Sequence, residues 1–187
     1  MDEQLVRSAQ QGDQEAFEAL ILANHARLLR VAHGVLRDRQ AAEDAVQQAF
    51  LDIWRDLPRL RDASKFEGWS YRLLLRVCYA EAKRMPKWLP DSQIPPASEP
   101  RMGDVFGVVV DRDQLRRGFQ QLSPDHRAVI VLRYLMDLAP DEIAEALDVP
   151  RKTVYSRLGR AMDALRAALE AEARPSRSVP VQPEHAR

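Results

Sequence analysis

Cysteine and glycine are scarce in this sequence, and both shortages bear on the fold. One cysteine, Cys78, in 187 residues cannot form an intramolecular disulfide, so a disulfide-stabilised fold is excluded and a reducing compartment fits. Because Cys78 lies between Val77 and Tyr79 in an apolar stretch, we expect a buried thiol rather than a reactive one. With only seven glycines and many Ala, Leu, Arg and Glu residues, the composition predicts an all-α fold.

An excess of charge of one sign and long apolar runs are also absent. Lys and Arg number 28, as do Asp and Glu, so a nucleic-acid-binding protein of this composition must segregate its basic residues on one surface. No apolar run approaches the roughly 20 residues that a membrane span needs. No signal peptide precedes Asp2, and we therefore expect a cytoplasmic protein without membrane insertion.

Motifs that would hold a metal, a cofactor or a nucleophile are missing as well. No cysteine or carboxylate cluster has metal-ligand spacing, and no Walker, Rossmann or nucleophile-elbow motif occurs. The histidines are scattered along the chain, at His25, His33, His126 and His185. The sequence therefore predicts a protein with no cofactor, no metal and no catalytic residues.

Apolar residues at helical spacing predict a first small helical domain at residues 1–86. Its helices are expected over 3–11, from the N-cap Asp13 to about 36, from a short break at 38–42 to about 57, and over 66–84. Pro58 stops the third of these helices, and residues 58–65 form a basic loop. Residues 87–110 are rich in proline and predict a flexible linker, and residues 172–187 predict a disordered tail.

A second small helical domain is predicted at residues 111–171, and it ends in a helix-turn-helix. After a helix over about 111–121, Ser123 caps a helix that opens with Pro124 and runs to about 136. Pro140 opens a short helix, Asp148 suits a left-handed turn, and Pro150 starts a longer helix. The first turns of this last helix carry basic and hydroxyl groups, on Arg151, Lys152, Thr153, Tyr155, Ser156, Arg157 and Arg160. Such a surface suits the major groove of DNA; the alternative is a solvated face of an ordinary helical bundle.

Two motifs in this order resemble bacterial RNA polymerase sigma factors of the extracytoplasmic-function (ECF) group. The stretch AEDAVQQAF at 42–50, followed by Ile53-Trp54, is similar to the family's AED-x-x-Q-x-x-F-x-x-W signature. In the second half, Leu122-Ser123-Pro124 through VLRY at 131–134 is similar to the helix before the family's helix-turn-helix. EIA at 142–144, Leu147, VP at 149–150 and TVYSRL-x-RA at 153–161 are similar to the helix-turn-helix itself. The resemblance covers nearly the whole chain apart from the linker and the tail.

This resemblance implies a role for each part of the chain. The first domain would be region 2-like and would bind the β′ clamp helices of core RNA polymerase through Asp44, Gln47, Gln48, Phe50, Asp52 and Trp54. Phe50 and Trp54 lie on the apolar stripe, so they are either core or interface residues. The same domain would recognise and melt the −10 promoter element through Arg59, Arg61, Lys65, Trp69, Tyr71, Arg72, Arg76, Lys83 and Arg84. Trp69 is alternatively a core residue at this spacing.

The resemblance makes the second domain region 4-like, reading the −35 element in duplex form and contacting the polymerase β flap. Its DNA contacts would be the seven residues from Arg151 to Arg160 named above. Arg157 is alternatively a structural residue paired with Glu142 or Glu145. The chain departs from the family's pattern at three positions. Arg76-Val77 lacks an intervening Asn, Ala80 replaces an Asp, and Lys152 replaces a Gly, which puts the preferred promoter bases in doubt.

Function follows from the same resemblance. A sigma factor directs promoter-specific transcription initiation by core polymerase, is a monomer when free, and is commonly restrained by an anti-sigma factor. The alternative function is a stand-alone helix-turn-helix regulator with an N-terminal effector-binding or dimerisation domain. That alternative predicts a dimer on a palindromic operator, and it leaves the motif at 42–54 unexplained.

Overall fold

The computed structural model describes residues 2–85 and 112–173. All regular structure within these two ranges is helical and forms two units, which confirms the predicted all-α fold. The predicted linker and the predicted tail from residue 174 onward lie outside the described residues. The predicted domain boundaries therefore stay predictions.

Four helices build the first unit: α1 is Glu3–Gln10, α2 is Gln14–Leu36, α3 is Arg39–Asp56 and α4 is Phe66–Arg84. As predicted, the Asp13 carboxylate caps α2 by accepting a hydrogen bond from the Ala16 N–H. The predicted break at 38–42 is wrong in extent, because α3 already begins at Arg39. Arg37 adopts a left-handed φ of 62° and Asp38 caps the next helix at once, so one tight turn is sufficient.

The core of the first unit lies between α2, α3 and α4. The largest apolar side chains there, such as Leu20, Ile53 and Phe66, are about 1% exposed. Cys78 is fully buried among them, and burial raises the pKa of its thiol to about 12. The prediction of a buried cysteine is confirmed. The basic loop between α3 and α4 contains two single turns of 3₁₀-helix, Leu57–Arg59 and Ala63–Lys65.

The second unit consists of α5 (Arg112–Gln120), α6 (Pro124–Ile130), α7 (Pro140–Leu147) and α8 (Arg151–Ala173). The helix predicted to reach 136 instead ends in a π-helical turn, Val131–Leu135. Asp148 has a φ of 54°, as predicted for the turn between α7 and α8. Residues 172 and 173 continue α8.

The two units pack against each other in this structure. α4 lies against α7, and α2 lies against α6 and the π-helical turn. A Cβ atom built on Gly34 of α2 would come within 2.6 Å of Val131 Cγ2, so the absence of a side chain at Gly34 allows this approach. Sequence patterns gave no indication of this contact.

Candidate protein and nucleic-acid interfaces

One face of α3 presents amide and carboxylate groups to solvent. Asp44, Gln47 and Gln48 are all exposed, and Asp44 accepts a hydrogen bond from Gln40. The same face carries Leu51, whose 64% exposure is high for a large apolar residue. Leu51 was missed by the sequence reasoning. Its position three residues after Gln48 could have revealed it, because residues three apart share a helix face. We call Asp44, Gln47, Gln48 and Leu51 the α3 stripe.

The other predicted polymerase contacts on α3 divide between core and surface. Phe50 is 9% exposed and its ring stacks on His25 with 6.3 Å between centroids, so it is a core residue in this structure. Trp54 is 45% exposed, and its ring packs edge-on against that of Phe17 with 4.5 Å between the ring centroids. It is therefore partly packed in the core and partly open to solvent. Its outer part adjoins the α3 stripe one helical turn on.

Asp52 is buried and links α3 to α4. Its carboxylate lies 3.1 Å from Arg55 Nη2 and 3.9 Å from Arg76 Nη2, and it accepts a hydrogen bond from Gln48. A carboxylate at 9% exposure with these partners holds two helices in register, and little of it is open to another protein. Its predicted contact with polymerase therefore has only indirect support from this geometry.

A basic face runs from the loop before α4 along the length of that helix. The cationic side chains predicted to contact the −10 element are all exposed, at Arg59, Arg61, Lys65, Arg72, Arg76, Lys83 and Arg84. On α4, Arg72, Arg76 and Lys83 recur at intervals of four and seven, which places them on one side of the helix. Although the chain as a whole has no net charge, positive charge is concentrated on this face, as a phosphate-binding surface requires.

The two aromatic residues predicted to meet the −10 element differ sharply in exposure. Tyr71 is 1% exposed, and its hydroxyl accepts hydrogen bonds from Arg27 Nη2 at 2.9 Å and Nε at 3.2 Å. The Tyr71 ring is therefore buried in the core in this structure, and no face of it is open for stacking on a DNA base. Trp69 is half-buried with its ring 6.1 Å from that of Phe66, which fits the alternative of a core residue with one edge in solvent.

Arg27 was not anticipated from the sequence. From α2 it pairs with Glu67 and donates to the Tyr71 hydroxyl, both on α4, and so fixes the start of that helix. Burial acts to lower the pKa of Arg27, but the interactions with Tyr71 and Glu67 outweigh it and raise that pKa. Burial also raises the pKa of Tyr71. The helical pattern of α2 does not indicate that Arg27 has partners on another helix.

The start of α8 carries most of its predicted DNA contacts on the outside. Lys152, Ser156 and Arg160 are exposed, and Thr153 is half-buried. Arg151 lies 3.2 Å from the Asp141 carboxylate and donates to the Tyr155 hydroxyl at 3.1 Å, and these interactions raise the pKa of Arg151. Tyr155 is 51% exposed. This arrangement presents cations, a hydroxyl and an aromatic ring on the first turns of a helix.

Arg157 is the exception within this set. Its side chain is only 23% exposed and pairs with Asp125 on α6 at 3.4 Å. The two partners that the sequence suggested for Arg157, Glu142 and Glu145, were wrong. Glu142 accepts a hydrogen bond from the Ala139 N–H at 2.7 Å, and Glu145 pairs with Lys65. Arg157 thus ties α8 to α6, and the structural alternative is the one that its position supports.

Two residues of the basic face meet acidic groups of the second unit. Lys65 Nζ lies 2.7 Å from Glu145 Oε1, and this pairing raises the pKa of Lys65. Arg72 Nε donates to the Glu145 carbonyl at 3.0 Å, and its Nη1 lies 3.6 Å from Asp148 Oδ1. The end of α7 therefore lies over the first part of α4.

Within residues 2–85 and 112–173, no group of three or more His, Cys, Asp or Glu side chains is placed to bind a metal ion. No described helix is both long enough and apolar enough to cross a membrane.

Comparison with known proteins matches both units to described families. The family model "Sigma-70 region 2" matches residues 20–85, and "Sigma-70, region 4" matches residues 112–165. RNA polymerase sigma-H factor of Pseudomonas aeruginosa is 30% identical over 90% of this chain and 94% of its own length. The ECF sigma factor SigW of Bacillus subtilis is 27% identical over 88% of this chain and 94% of its own.

A solved structure has a similar fold. The sigma factor RpoE of Bartonella quintana, in complex with the anti-sigma factor NepR, superposes with a TM-score of 0.65. It is 20% identical, and the match covers 83% of this chain and 98% of that one.

Proposed function

The chain belongs to the ECF group of RNA polymerase sigma factors, and we propose that its two helical units divide the work as the exposed surfaces suggest. A sigma factor directs promoter-specific transcription initiation by core RNA polymerase, so the alternative of a stand-alone dimeric regulator is not favoured. The proposal concerns which residues of this chain carry each step. The observation that carries it is the separation of the α3 stripe, which presents one carboxylate, two amides and an exposed leucine, from the basic faces on α4 and α8.

The α3 stripe anchors the chain to core polymerase. Its carboxylate and amide groups suit the basic surface expected of the β′ clamp helices, and Leu51 and the exposed part of Trp54 supply apolar area at its centre. Apolar anchors surrounded by polar groups carry most of the free energy in many protein interfaces. Asp52 and Phe50 support the stripe from beneath.

Replacing Leu51 by aspartate is expected to weaken binding to core polymerase by about tenfold or more, because it puts a charge at the apolar centre of the interface. Its 64% exposure means that folding should change little. Affinity for core polymerase can be measured by competition with a labelled wild-type chain, and folding by thermal melting. The matched control is Leu22→Asp, the same change at an 80% exposed leucine on α2. Equal loss in both variants would contradict the assignment of the docking surface to the α3 stripe.

The basic face of α4 and of the preceding loop takes the −10 element and helps to melt it. Seven exposed cations can neutralise phosphates of both strands near the point of opening. A base that leaves the stack needs a wall to lie against, and the exposed edge of Trp69 is the aromatic surface that this face offers among the described residues. Tyr71 acts indirectly, because it fixes the helix that carries the cations.

The outer side of α8 reads the −35 element in the major groove. Arg151, Lys152 and Arg160 supply cations that can pair with guanine or with phosphate, and Ser156 and Tyr155 supply hydroxyl groups. Lys152, at a position where the family often has glycine, adds a contact that glycine cannot make. Arg157 positions α8 through Asp125.

The chain acts as a specificity subunit of RNA polymerase without catalytic residues of its own. It acts in the cytoplasm and is a monomer until it binds core polymerase. Its second unit contacts the β flap. An anti-sigma factor restrains it, as the fold that it shares with a sigma factor solved in complex with NepR suggests.

Run-off transcription with core polymerase on a library of randomised promoters tests the proposed function. We expect transcripts only when the chain is added, from templates that share two short elements at a fixed separation. Sequencing the active templates identifies both elements. A chain that fails to bind core polymerase, or that binds and yields no transcripts, would remove the basis for these residue roles.

A further inference from the structure

We infer that Asp141 on α7 is a positioning residue for Arg151, and that the two together select a guanine at one position of the −35 element. This inference rests on the proposed function, because it concerns base selection by the outer side of α8. Asp141 is not among the residues assigned to that surface. It lies on the first helix of the helix-turn-helix and acts on the DNA through an arginine of the second.

The Arg151 guanidinium is held from two sides. Its Nη1 lies 3.2 Å from Asp141 Oδ2 on α7, and its Nη2 donates a hydrogen bond to the Tyr155 hydroxyl at 3.1 Å, one turn along α8. The Tyr155 ring faces the same guanidinium, with 5.7 Å between Arg151 Cζ and the ring centroid. The Arg151 side chain is nevertheless 56% exposed, so its direction is fixed while much of it is open to DNA.

The two helices that hold Arg151 are fixed relative to each other. α7 packs against α8, and each contributes a buried apolar side chain to the core, Ile143 from α7 and Val154 from α8. Asp141 therefore anchors Arg151 to a second helix. Arg160 differs, because its Nε donates to a carbonyl of its own helix. An arginine that is held in place before binding loses less conformational entropy when it contacts DNA.

The cap of α7 does not require Asp141. That cap is made by Glu142, whose carboxylate accepts a hydrogen bond from the Ala139 N–H at 2.7 Å. An acidic residue in the first turn also interacts favourably with the helix dipole, but this interaction does not require a carboxylate beside Arg151. A negative charge on a surface that approaches phosphates opposes binding. Its presence there is explained if it directs the arginine.

A guanidinium held in one direction is suited to a base edge rather than to a phosphate. It carries five N–H donors in a planar fork, of which one is given to Tyr155 and another lies beside Asp141. The remaining donors can form the parallel pair that guanine O6 and N7 accept in the major groove. A phosphate contact fixes register without reading sequence, and the Asp141 charge weakens the attraction of Arg151 for phosphate.

Run-off transcription from matched promoters, with core polymerase and the full-length chain, tests this inference. The selected −35 element is changed at one base pair at a time, and the position read by Arg151 is the one at which Arg151→Ala loses its preference. We expect the wild-type chain to favour guanine there by about tenfold. Asp141→Asn keeps the size of the side chain and removes its charge. It should lower this discrimination about threefold, an effect of the size that an exposed ion pair supports.

A double variant separates positioning from direct contact with DNA. If Asp141 acts through Arg151, adding Asp141→Asn to Arg151→Ala should change the base preference no further. The control Asp163→Asn removes the same charge from another exposed aspartate of the second unit, one that pairs with Arg166 at 3.5 Å. It should leave the preference unchanged. Both aspartate variants should melt close to the wild-type temperature, since the Asp141 and Asp163 side chains are 67% and 76% exposed.

Three results would overturn the inference. Unchanged discrimination in Asp141→Asn would show that Asp141 does not position Arg151. A preference for another base at the Arg151 position, or no preference that Arg151→Ala removes, would contradict the selection of guanine. An effect of Asp141→Asn that persists in the Arg151→Ala chain would make Asp141 a direct contact, as with the amino group of cytosine. Failure of the proposed function is distinguishable from all three, because the wild-type chain would then give no transcripts from any template.

Discussion

Replacing Tyr71 by alanine is expected to lower the free energy of unfolding of the first unit by about 3–5 kcal/mol, the range seen when a large buried aromatic side chain is removed. The ring is 1% exposed, and its hydroxyl receives two hydrogen bonds from Arg27. The variant removes both the ring and the acceptor, and it leaves the Arg27 guanidinium with Glu67 alone. Urea unfolding followed by circular dichroism measures this loss, with the denaturant slope checked for constancy.

Tyr71→Phe is the matched control for this prediction. It keeps the ring and removes only the acceptor, so we expect a smaller loss of about 1–3 kcal/mol. Removing Arg27 as well, by Arg27→Met, should then add less than it does in the wild-type chain, because the pair shares one interaction. If Tyr71→Ala were as stable as wild type and yet failed to melt promoters, Tyr71 would be a base-stacking residue and its buried position would not be the active one.

Local features of this chain were predictable because they depend on residues close together in sequence. The caps at Asp13 and Ser123 and the left-handed Asp148 each involve a side chain or a φ angle within three residues of the helix end that they define. The break before α3 was predicted too long, since nothing in the sequence shows that Arg37 and Asp38 suffice for the turn. The π-helical turn after α6 likewise leaves the apolar pattern unchanged.

Side-chain roles on the candidate surfaces were less predictable, because they depend on what a neighbouring helix presents. Tyr71 and Arg72 are adjacent in sequence, yet one is buried against Arg27 and the other is 43% exposed at its side chain. Arg157 has an acidic partner on α6, a helix whose position against α8 no local pattern fixes. The pairing of Lys65 with Glu145 depends on how two separate units meet. In each case the partner that decides the role of the side chain lies on another helix, and the sequence does not show which helices meet.

Replacing Lys152 or Arg160 by alanine is expected to lower transcription from a promoter with a −35 element by about tenfold each. A side chain that contacts a base edge in the major groove contributes about 1–3 kcal/mol of discrimination. Both residues are exposed on the outer side of α8, and the Nε of Arg160 donates only to the Ser156 carbonyl of its own helix. Binding to core polymerase and the melting temperature should stay unchanged. Run-off transcription on promoters with and without the −35 element measures the effect.

Arg157 provides the contrast that makes this prediction specific. Arg157→Ala removes the ion pair with Asp125, so it should lower the stability of the second unit by about 1 kcal/mol and reduce transcription only as far as that unit unfolds. Arg157→Lys should restore stability and activity together, because a lysine can still reach the carboxylate. Neither recovery is expected for a residue that pairs with guanine through two guanidinium donors. A stable Arg157→Ala variant with an altered base preference at the −35 element would place Arg157 among the DNA contacts and require α8 to turn relative to α6 on binding.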